Sequence, residues 1–320
     1  MTDSPPRPNA LARGYDRAVM LMAASGEAAR AGHPEVGFEH LFLGILVNGG
    51  PGARLLMDAG IDLGRARAAI DALLAEDLAS LGIDTPLPSP SASFAEEAAR
   101  LPVAPRVNEL LEECPSSGGD RALLAALVAD GGGRVRRLLD RLGVDAGALD
   151  PDAPDRPAAD PAPADGEGAD APGPQPRGWE RTRYDLDVPV SAERVWSLVR
   201  EPGRRAEWDA GAASARGLGG GAVELTSRDG ERTREEITHR VEGREVVWTR
   251  DQGERTAPRS LRIVIEPRGH RARLRMTMEW PNALRGRIAN RVVRWFAREQ
   301  LRLHAQAIAQ AAASSGLVAK

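Results

Sequence analysis

The apolar positions of the chain change their period near residue 179. Before it they recur every three or four residues: Ala18, Leu21, Met22, Ser25 and Ala28–Ala29, then Leu41, Ile45 and Leu46, then Leu55–Leu56, then Ile70, Leu73 and Leu74. This spacing predicts helices, closed by glycines at 32, 49–50, 60 and 82. Short helices with small residues at their contacts predict a compact all-α bundle. After residue 179 the period shifts towards two. "RTRYDLDVPV" predicts a strand, and "SAERVWSLVREPGRRAEWD" (191–209) a helix with Ser191 as N-cap. Leu261, Ile263 and Ile265 alternate with polar neighbours, as do Leu274, Met276, Met278 and Trp280 with Arg273, Arg275, Thr277 and Glu279. A long helix from about Asn282 to Ala313 closes the chain. That order predicts an α+β domain in which a curved antiparallel sheet grips a C-terminal helix.

The first half also repeats itself. "EHLFLGILVNGG" at 39 aligns with "DRALLAALVADG" at 120, and "RLLMDAGIDLG" at 54 with "RLLDRLGVDAG" at 137. Two copies of one helical hairpin predict two pseudo-repeats in the bundle. The second copy, between Pro105 and Asp120, is too short for a full first helix and lacks the Gly32–His33 pair.

Residues 150–178 contain only Asp, Glu, Pro, Ala, Gly, Arg and Gln, a composition that cannot bury enough surface to offset chain ordering. The predicted organisation is a disordered N-terminus (1–10), a helical domain (11–149), a disordered acidic linker (150–178) and the sheet domain (179–320). All six tryptophans follow the linker, so the two halves have different cores.

Composition sharpens this picture in three places. A single cysteine, Cys114, rules out an internal disulfide and fits a reducing compartment. No apolar leader and no run long enough to span a bilayer occur, so the chain reads as soluble and cytoplasmic. The net charge of -3 hides an asymmetry: residues 179–320 carry 27 Lys+Arg against 19 Asp+Glu, and the remainder is acidic. Nucleic acid is not an expected partner, since no zinc finger, helix-turn-helix or RNP pattern is present.

Candidate chemistry concentrates at "GHPEVGFEHLFLGIL" (32–46), with His33, Glu39 and His40 around a helix start. Glu39 and His40 are adjacent and are expected to point to different helix faces, and no HExxH or CxxC spacing exists. No metal or other cofactor is predicted. No G-x-S-x-G elbow or Cys–His pairing offers a nucleophile, so no catalytic residue is assigned. Glu39 stands in the first turn of a helix, where the dipole favours a carboxylate. In the second half Trp196, Trp208, Trp248, Met276, Met278 and Trp280 are candidates to line a hydrophobic cavity. His239 and His304 are the titratable candidates there. A convergent pair such as His304 with a carboxylate would point to an enzyme; an all-apolar interior would point to carriage. The closing helix carries Arg287, Arg291, Arg294, Arg298 and Arg302 in one basic stripe. That stripe suits solvent, an anionic partner, a membrane surface or the acidic linker.

Two resemblances follow from these residues. "ARAGHPEVGFEHLFLGIL" (29–46), followed by "GARLLMDAGIDL" (52–63), resembles the repeat of the Clp amino-terminal domain, the substrate- and adaptor-binding cap of ClpA- and ClpC-type unfoldases. The resemblance covers roughly residues 11–149. No G-x-x-x-x-G-K-[ST] loop occurs and the one lysine is terminal, so the chain reads as a docking cap without its motor. The resemblance implies that Glu39, with Asp120 as its match in the second copy, contacts the guanidinium of phosphoarginine on marked substrates. His40 and Arg121 lie beside them, with Phe38 in the place of the family's threonine and Arg121 in that of the second histidine. Implied partners are Clp substrates, adaptors or cyclic peptides, and the implied role is recognition, regulation or a decoy.

"VPVSAERVWSLV" and the Trp-Asp of "AEWDA", in this element order, resemble the START-like superfamily over residues 179–318. That implies a helix-grip fold and an apolar small-molecule ligand. Its known members leave two alternatives: a polyketide cyclase-like or hydrolase-like enzyme, or a co-chaperone similar to the Hsp90 activator.

Overall fold

The fold is described from a computed structural model that covers residues 10–83, 101–114, 119–149, 178–209, 211–250, 258–281 and 287–314. The predicted disordered segments lie outside the described residues except for Ala10 and Gly178, as does the expected start of the closing helix at 282–286. The chain forms two compact units, one built on residues up to Pro151 and one built mainly on Ser191–Ala311.

The first unit is helical: α1 (Ala10–Ala31), α2 (Phe38–Asn48), α3 (Pro51–Asp58), α4 (Leu63–Ser80), α5 (Pro105–Glu113), α6 (Gly119–Ala129) and α7 (Arg134–Leu142), then a 3-10 turn (Ala146–Ala148). Helix α2 is its centre, because every residue from His40 to Asn48 is buried. Gly44 lets α1 come close: a Cβ there would sit 3.0 Å from Met20 O and Ala24 N. Helix α1 turns Met20, Ala23, Ala24 and Ala28 inward. Met22, expected to join the apolar stripe, is 67% exposed.

The repeat is visible in the helix limits. Helices α2 and α6 have the same length, as do α3 and α7 to within one residue, at the offsets that the aligned sequences require. The shortened second copy begins with α5, of 9 residues, where the first copy has α1, of 22.

The second unit is a seven-stranded sheet: β1 (Trp179–Val188), β2 (Ala212–Gly219), β3 (Ala222–Ser227), β4 (Arg232–Val241), β5 (Glu245–Arg250), β6 (Arg259–Arg268) and β7 (Arg271–Pro281). Strands β2 to β7 form an antiparallel meander, and β1 joins beside β7 in the order β1-β7-β6-β5-β4-β3-β2. Between β1 and β2 lies α8 (Ala192–Val199). The chain closes with α9 (Arg287–Ser314), completing a helix-grip fold. The helix expected over 191–209 is broken. Pro202 cannot donate a backbone bond and disfavours helix at the residue before it, so a separate 3-10 helix spans Pro202–Glu207. Ser191 holds the N-cap position without a side-chain capping bond; its hydroxyl serves the Glu193 carboxylate instead.

Strand register sorts the residues of the inner face. Trp248 pairs with Leu261 and Leu261 with Met278; one step along, Val246 pairs with Ile263 and Ile263 with Met276. All six are nearly or fully buried. One step in the other direction the row becomes ionic: Glu235 pairs with Arg250 and Arg250 with Arg259. Side chains two residues apart share a face, so this charged row continues the apolar one.

Candidate functional site

In the helical unit, Gly32 ends α1 in the left-handed region (φ 70) and folds the chain back on itself. The next segment is pinned where Val36 bonds with Pro102 and Ala104. This return carries His33 to His40, which corrects the expectation that the histidines and Glu39 diverge. Ligand-type atoms of His33, Glu39 and His40 all lie within 4.8 Å of one another. The hydrogen bonds define what the cluster does. Gly37 N–H donates to His40 Nδ1 at 2.8 Å, closing the first turn of α2. The proton of neutral His40 is therefore on Nε2, which faces His33 Nδ1 at 2.7 Å. Burial, together with the neighbouring His33 and Arg30, pushes His40 down to about 4. Both ring nitrogens of His40 are thus engaged in hydrogen bonds. The cluster is a hydrogen-bonded support for the Glu39 turn.

Glu39 itself stands at the edge of a narrow groove, too tight in this structure to admit a water molecule, between the buried Ile70 and Leu73 of α4 and Arg134, Val135 and Leu138 of α7. Its carboxylate meets Arg134 at only 3.9 Å. Arg134 is held more closely by Asp77, which also accepts from Arg137 at 2.8 Å. The hydrogen bonds from Arg137 and Arg134 hold the Asp77 carboxyl below the usual range. Glu39 is therefore a loosely paired acid at the mouth of an apolar groove.

Its counterpart Asp120 is placed differently. Asp120 Oδ2 accepts from Gly52 N–H at 2.9 Å and so caps α3, while burial pushes its carboxyl up. The two acids match in sequence but not in surroundings: one faces a groove, the other closes a helix end. Arg121, next to Asp120, is half-buried in the first turn of α6. Asp120→Ala is expected to lower the stability of the helical unit by about 1 kcal/mol. Thermal denaturation followed by circular dichroism checks this. Chemistry in the Glu39 groove should be unchanged.

In the sheet unit the six candidate cavity residues fall into three groups. Trp248, Met276 and Met278 lie on the inner face. Trp208 is fully buried and meets Trp248 edge-on, ring centroids 6.3 Å apart. Trp196, also buried, sends its Nε1–H to the exposed Glu242 at 2.9 Å, and Trp280 is half-buried on β7.

The charged row beside them was not anticipated. Arg205 is completely buried, with its guanidinium 3.8 Å from the Trp208 ring centre and 5.7 Å from that of Trp248. Its Nε donates to Glu235 Oε2 at 3.0 Å, and its Nη1 lies 2.9 Å from Asp209 Oδ2. Arg250 and Arg259 reach Glu235 Oε1 at 2.9 and 3.1 Å. Burial works against ionisation of Glu235, and Arg205, Arg259 and Arg250 overcome it, bringing the carboxyl down to about 2. Burial likewise opposes ionisation of Asp209, and His304, Arg205 and Arg259 hold it well below the usual range. His304, buried on α9, places Nε2 at 3.4 Å from Asp209 Oδ2, while its Nδ1 is 2.7 Å from Gln300 O. A carbonyl can only accept, so Nδ1 carries a proton, and Nε2 is the nitrogen turned towards Asp209. The other titratable candidate, His239, is exposed, 3.7 Å from Glu245.

A signal for this row existed. The alternation that turns Trp248 and Leu261 inward, carried one step further, turns Arg250 and Arg259 inward too. Arg205 and Asp209 flank Trp208 at a spacing of four. Of the basic stripe, Arg294 donates to Glu180 at 2.9 Å, Arg302 pairs with Glu299 and Arg298 is exposed. The side chains of Arg287 and Arg291 lie outside the described residues.

Comparison with known proteins accounts for both halves. Residues 17–102 match the family described as "Clp repeat (R) N-terminal domain", and residues 180–312 match "Polyketide cyclase / dehydrase and lipid transport". The chain joins a Clp repeat domain to a START-like domain. The Clp repeat domain is 33% identical over 132 residues to the chloroplastic ClpA homolog of Brassica napus, an alignment covering 39% of this chain and 14% of that protein. It is 33% identical to chloroplastic ClpC1 of Arabidopsis thaliana over 39% of this chain and 13% of that one. The chain thus spans about a seventh of the length of these relatives. The START-like domain is similar to a START superfamily protein from Mycobacterium smegmatis, at 18% identity over 40% of this chain and 92% of that one, TM-score 0.34. It is also similar to norcoclaurine synthase of Thalictrum flavum, at 17% identity over 44% and 96%, TM-score 0.35. Among the described residues no helix is long and apolar enough to cross a membrane.

Proposed function

We propose that the chain is a cytoplasmic, non-catalytic binding protein. Its Clp repeat domain docks basic segments of Clp substrates or adaptors, as a reader or a decoy, and its START-like domain holds an apolar small molecule. The observation that carries the docking reading is the underused Glu39 carboxylate beside Ile70, Leu73, Val135 and Leu138. An incoming guanidinium gains a charge-assisted bond there, because Arg134 already leans towards Asp77. A phosphoryl group on that guanidinium would have to draw Arg134 or Arg137 away from Asp77. The match of residues 180–312 to the polyketide cyclase / dehydrase and lipid transport family supports an apolar ligand for the other domain.

The test is calorimetric titration of the full chain with phosphoarginine, with Glu39→Gln as the comparison. The expected result is binding that weakens about tenfold or more in the variant, as loss of one charge-assisted bond requires. Heat from an arginine-bearing peptide alone would narrow the role to peptide docking. No heat from either would remove the docking reading.

A second reading is favoured by one observation, the buried His304–Asp209 pair next to an apolar face. In a polyketide cyclase-like or hydrolase-like enzyme, His304 Nε2 would move the proton and Arg205 would stabilise developing negative charge. Turnover of aromatic esters that disappears in His304→Gln, with the domain still folded, would favour it. Absence of turnover in the unsubstituted chain would count against it.

A further inference from the structure

Helix α9 has two apolar faces where one would suffice. Ala297, Leu301, His304, Ala305 and Ile308 form its buried face. At about 100° per residue, Trp295 and Phe296 lie about 120° and 220° round the helix from Leu301, straddling the opposite side. They are 42% and 60% exposed, with ring centroids 4.8 Å apart. Among the described residues these are the only exposed aromatic rings of this size. Arg298 and Arg302 stand on the Trp295 flank, at about 60° and 100° on the same scale. Arg298 is exposed and has no charged partner among the described residues. The one acid on the aromatic side, Glu299, is taken by Arg302. On the same scale Arg287, Arg291 and Arg294 fall at about 40°, 80° and 20°, nearer the buried face than the aromatic rings, and Arg294 is paired with Glu180.

We propose that this ridge is a docking surface for anionic lipid bilayers. Adjacent aromatic rings on a convex helix face, flanked by the exposed Arg298 guanidinium, match the headgroup boundary. The rings enter the acyl edge there while Arg298 meets a lipid phosphate. Two side chains on a convex face offer far less than the ~800 Å² per partner of a stable protein contact. The acidic segment 150–178 can pair with the arginines, but it has no aromatic or large aliphatic residue with which to cover Trp295 and Phe296. With no helix able to cross a membrane among the described residues, the association is peripheral. It is independent of the Glu39 groove and of any small-molecule ligand.

The experiment is flotation of the full chain with vesicles of phosphatidylcholine, with and without roughly a third phosphatidylglycerol. The unsubstituted chain is expected to float with the anionic vesicles alone, less so as salt rises. Trp295→Ser with Phe296→Ser should weaken flotation about tenfold, and Arg298→Glu should weaken it in anionic vesicles. Both sites are exposed, and unchanged circular dichroism would show that the variants fold. Failure to float with anionic vesicles would overturn the proposal, as would flotation indifferent to the aromatic variant. A dimer in gel filtration that the aromatic variant dissolves would also overturn it, assigning the ridge to a second copy of the chain.

Discussion

Arg205→Ala is expected to destabilise the START-like domain by about 3–5 kcal/mol, the range for breaking a buried ion pair from one side. Arg205 has no exposed surface, and two carboxylates depend on it. Removing it leaves Glu235 to Arg250 and Arg259, and leaves Asp209 with His304 at 3.4 Å and Arg259 at 3.8 Å. The substitution also empties the space beside two tryptophan rings and ends the cation–π contact with Trp208. Arg205→Lys restores one charge but cannot reach both acids through a planar fork while stacking on a ring, so an intermediate loss is expected. The measurement is convenient because every tryptophan lies in residues 179–320. Tryptophan emission during urea unfolding therefore reports the START-like domain, and the midpoint should fall with little change in slope. A midpoint unchanged by Arg205→Ala would mean that the ionic row carries no net stability.

The repeat, the change of period and the two domain types were legible because each is a local pattern. Helix lengths and glycine turns are written into neighbouring residues, and the offsets between the two copies survive in the helix limits. What could not be read was anything that depends on which elements meet. Glu39 and Asp120 align in sequence, yet α7 brings Arg134 to one while the start of α3 takes the other. His33 reaches His40 because Gly32 and the Val36 bonds return the loop, a tertiary consequence that adjacency on a helix wheel does not contain. The ionic row was hidden by a rule of thumb, that charged residues face water. Arg250 and Arg259 have inward parity, and they are tolerable there because Glu235 and Asp209 arrive from β4 and from the segment after the 3-10 helix. The broken helix at Pro202 was legible and was passed over, since proline there disfavours continuation.

The two domains are expected to lose stability in different acid ranges. His40 is held to about 4 against an ordinary 6.5, because burial, with His33 and Arg30 beside it, favours the neutral ring. Its folded value is depressed, so its contribution is present above pH 6.5 and is lost as pH falls through 4. By linkage the Clp repeat domain gives up about 3 kcal/mol across that interval. Asp77 and Glu27, also depressed by neighbouring guanidinium groups, add losses only below the ordinary carboxylate range. Asp120, raised by burial, works the other way. The START-like domain should hold through this interval. Its window is set by Glu235, depressed from 4.5 to about 2, with Asp209 depressed alongside, so about 3 kcal/mol or more is lost between pH 4.5 and 2. Denaturant midpoints against pH, read by far-ultraviolet circular dichroism and by tryptophan emission, should separate the two. His40→Gln is the decisive variant. Glutamine at that turn can still accept from Gly37 and donate to His33, but it does not titrate. The dichroism midpoint should then no longer fall between pH 6.5 and 4.5 while the tryptophan midpoint keeps its acid loss. A dichroism midpoint that still falls in the variant would assign the pH response to another group.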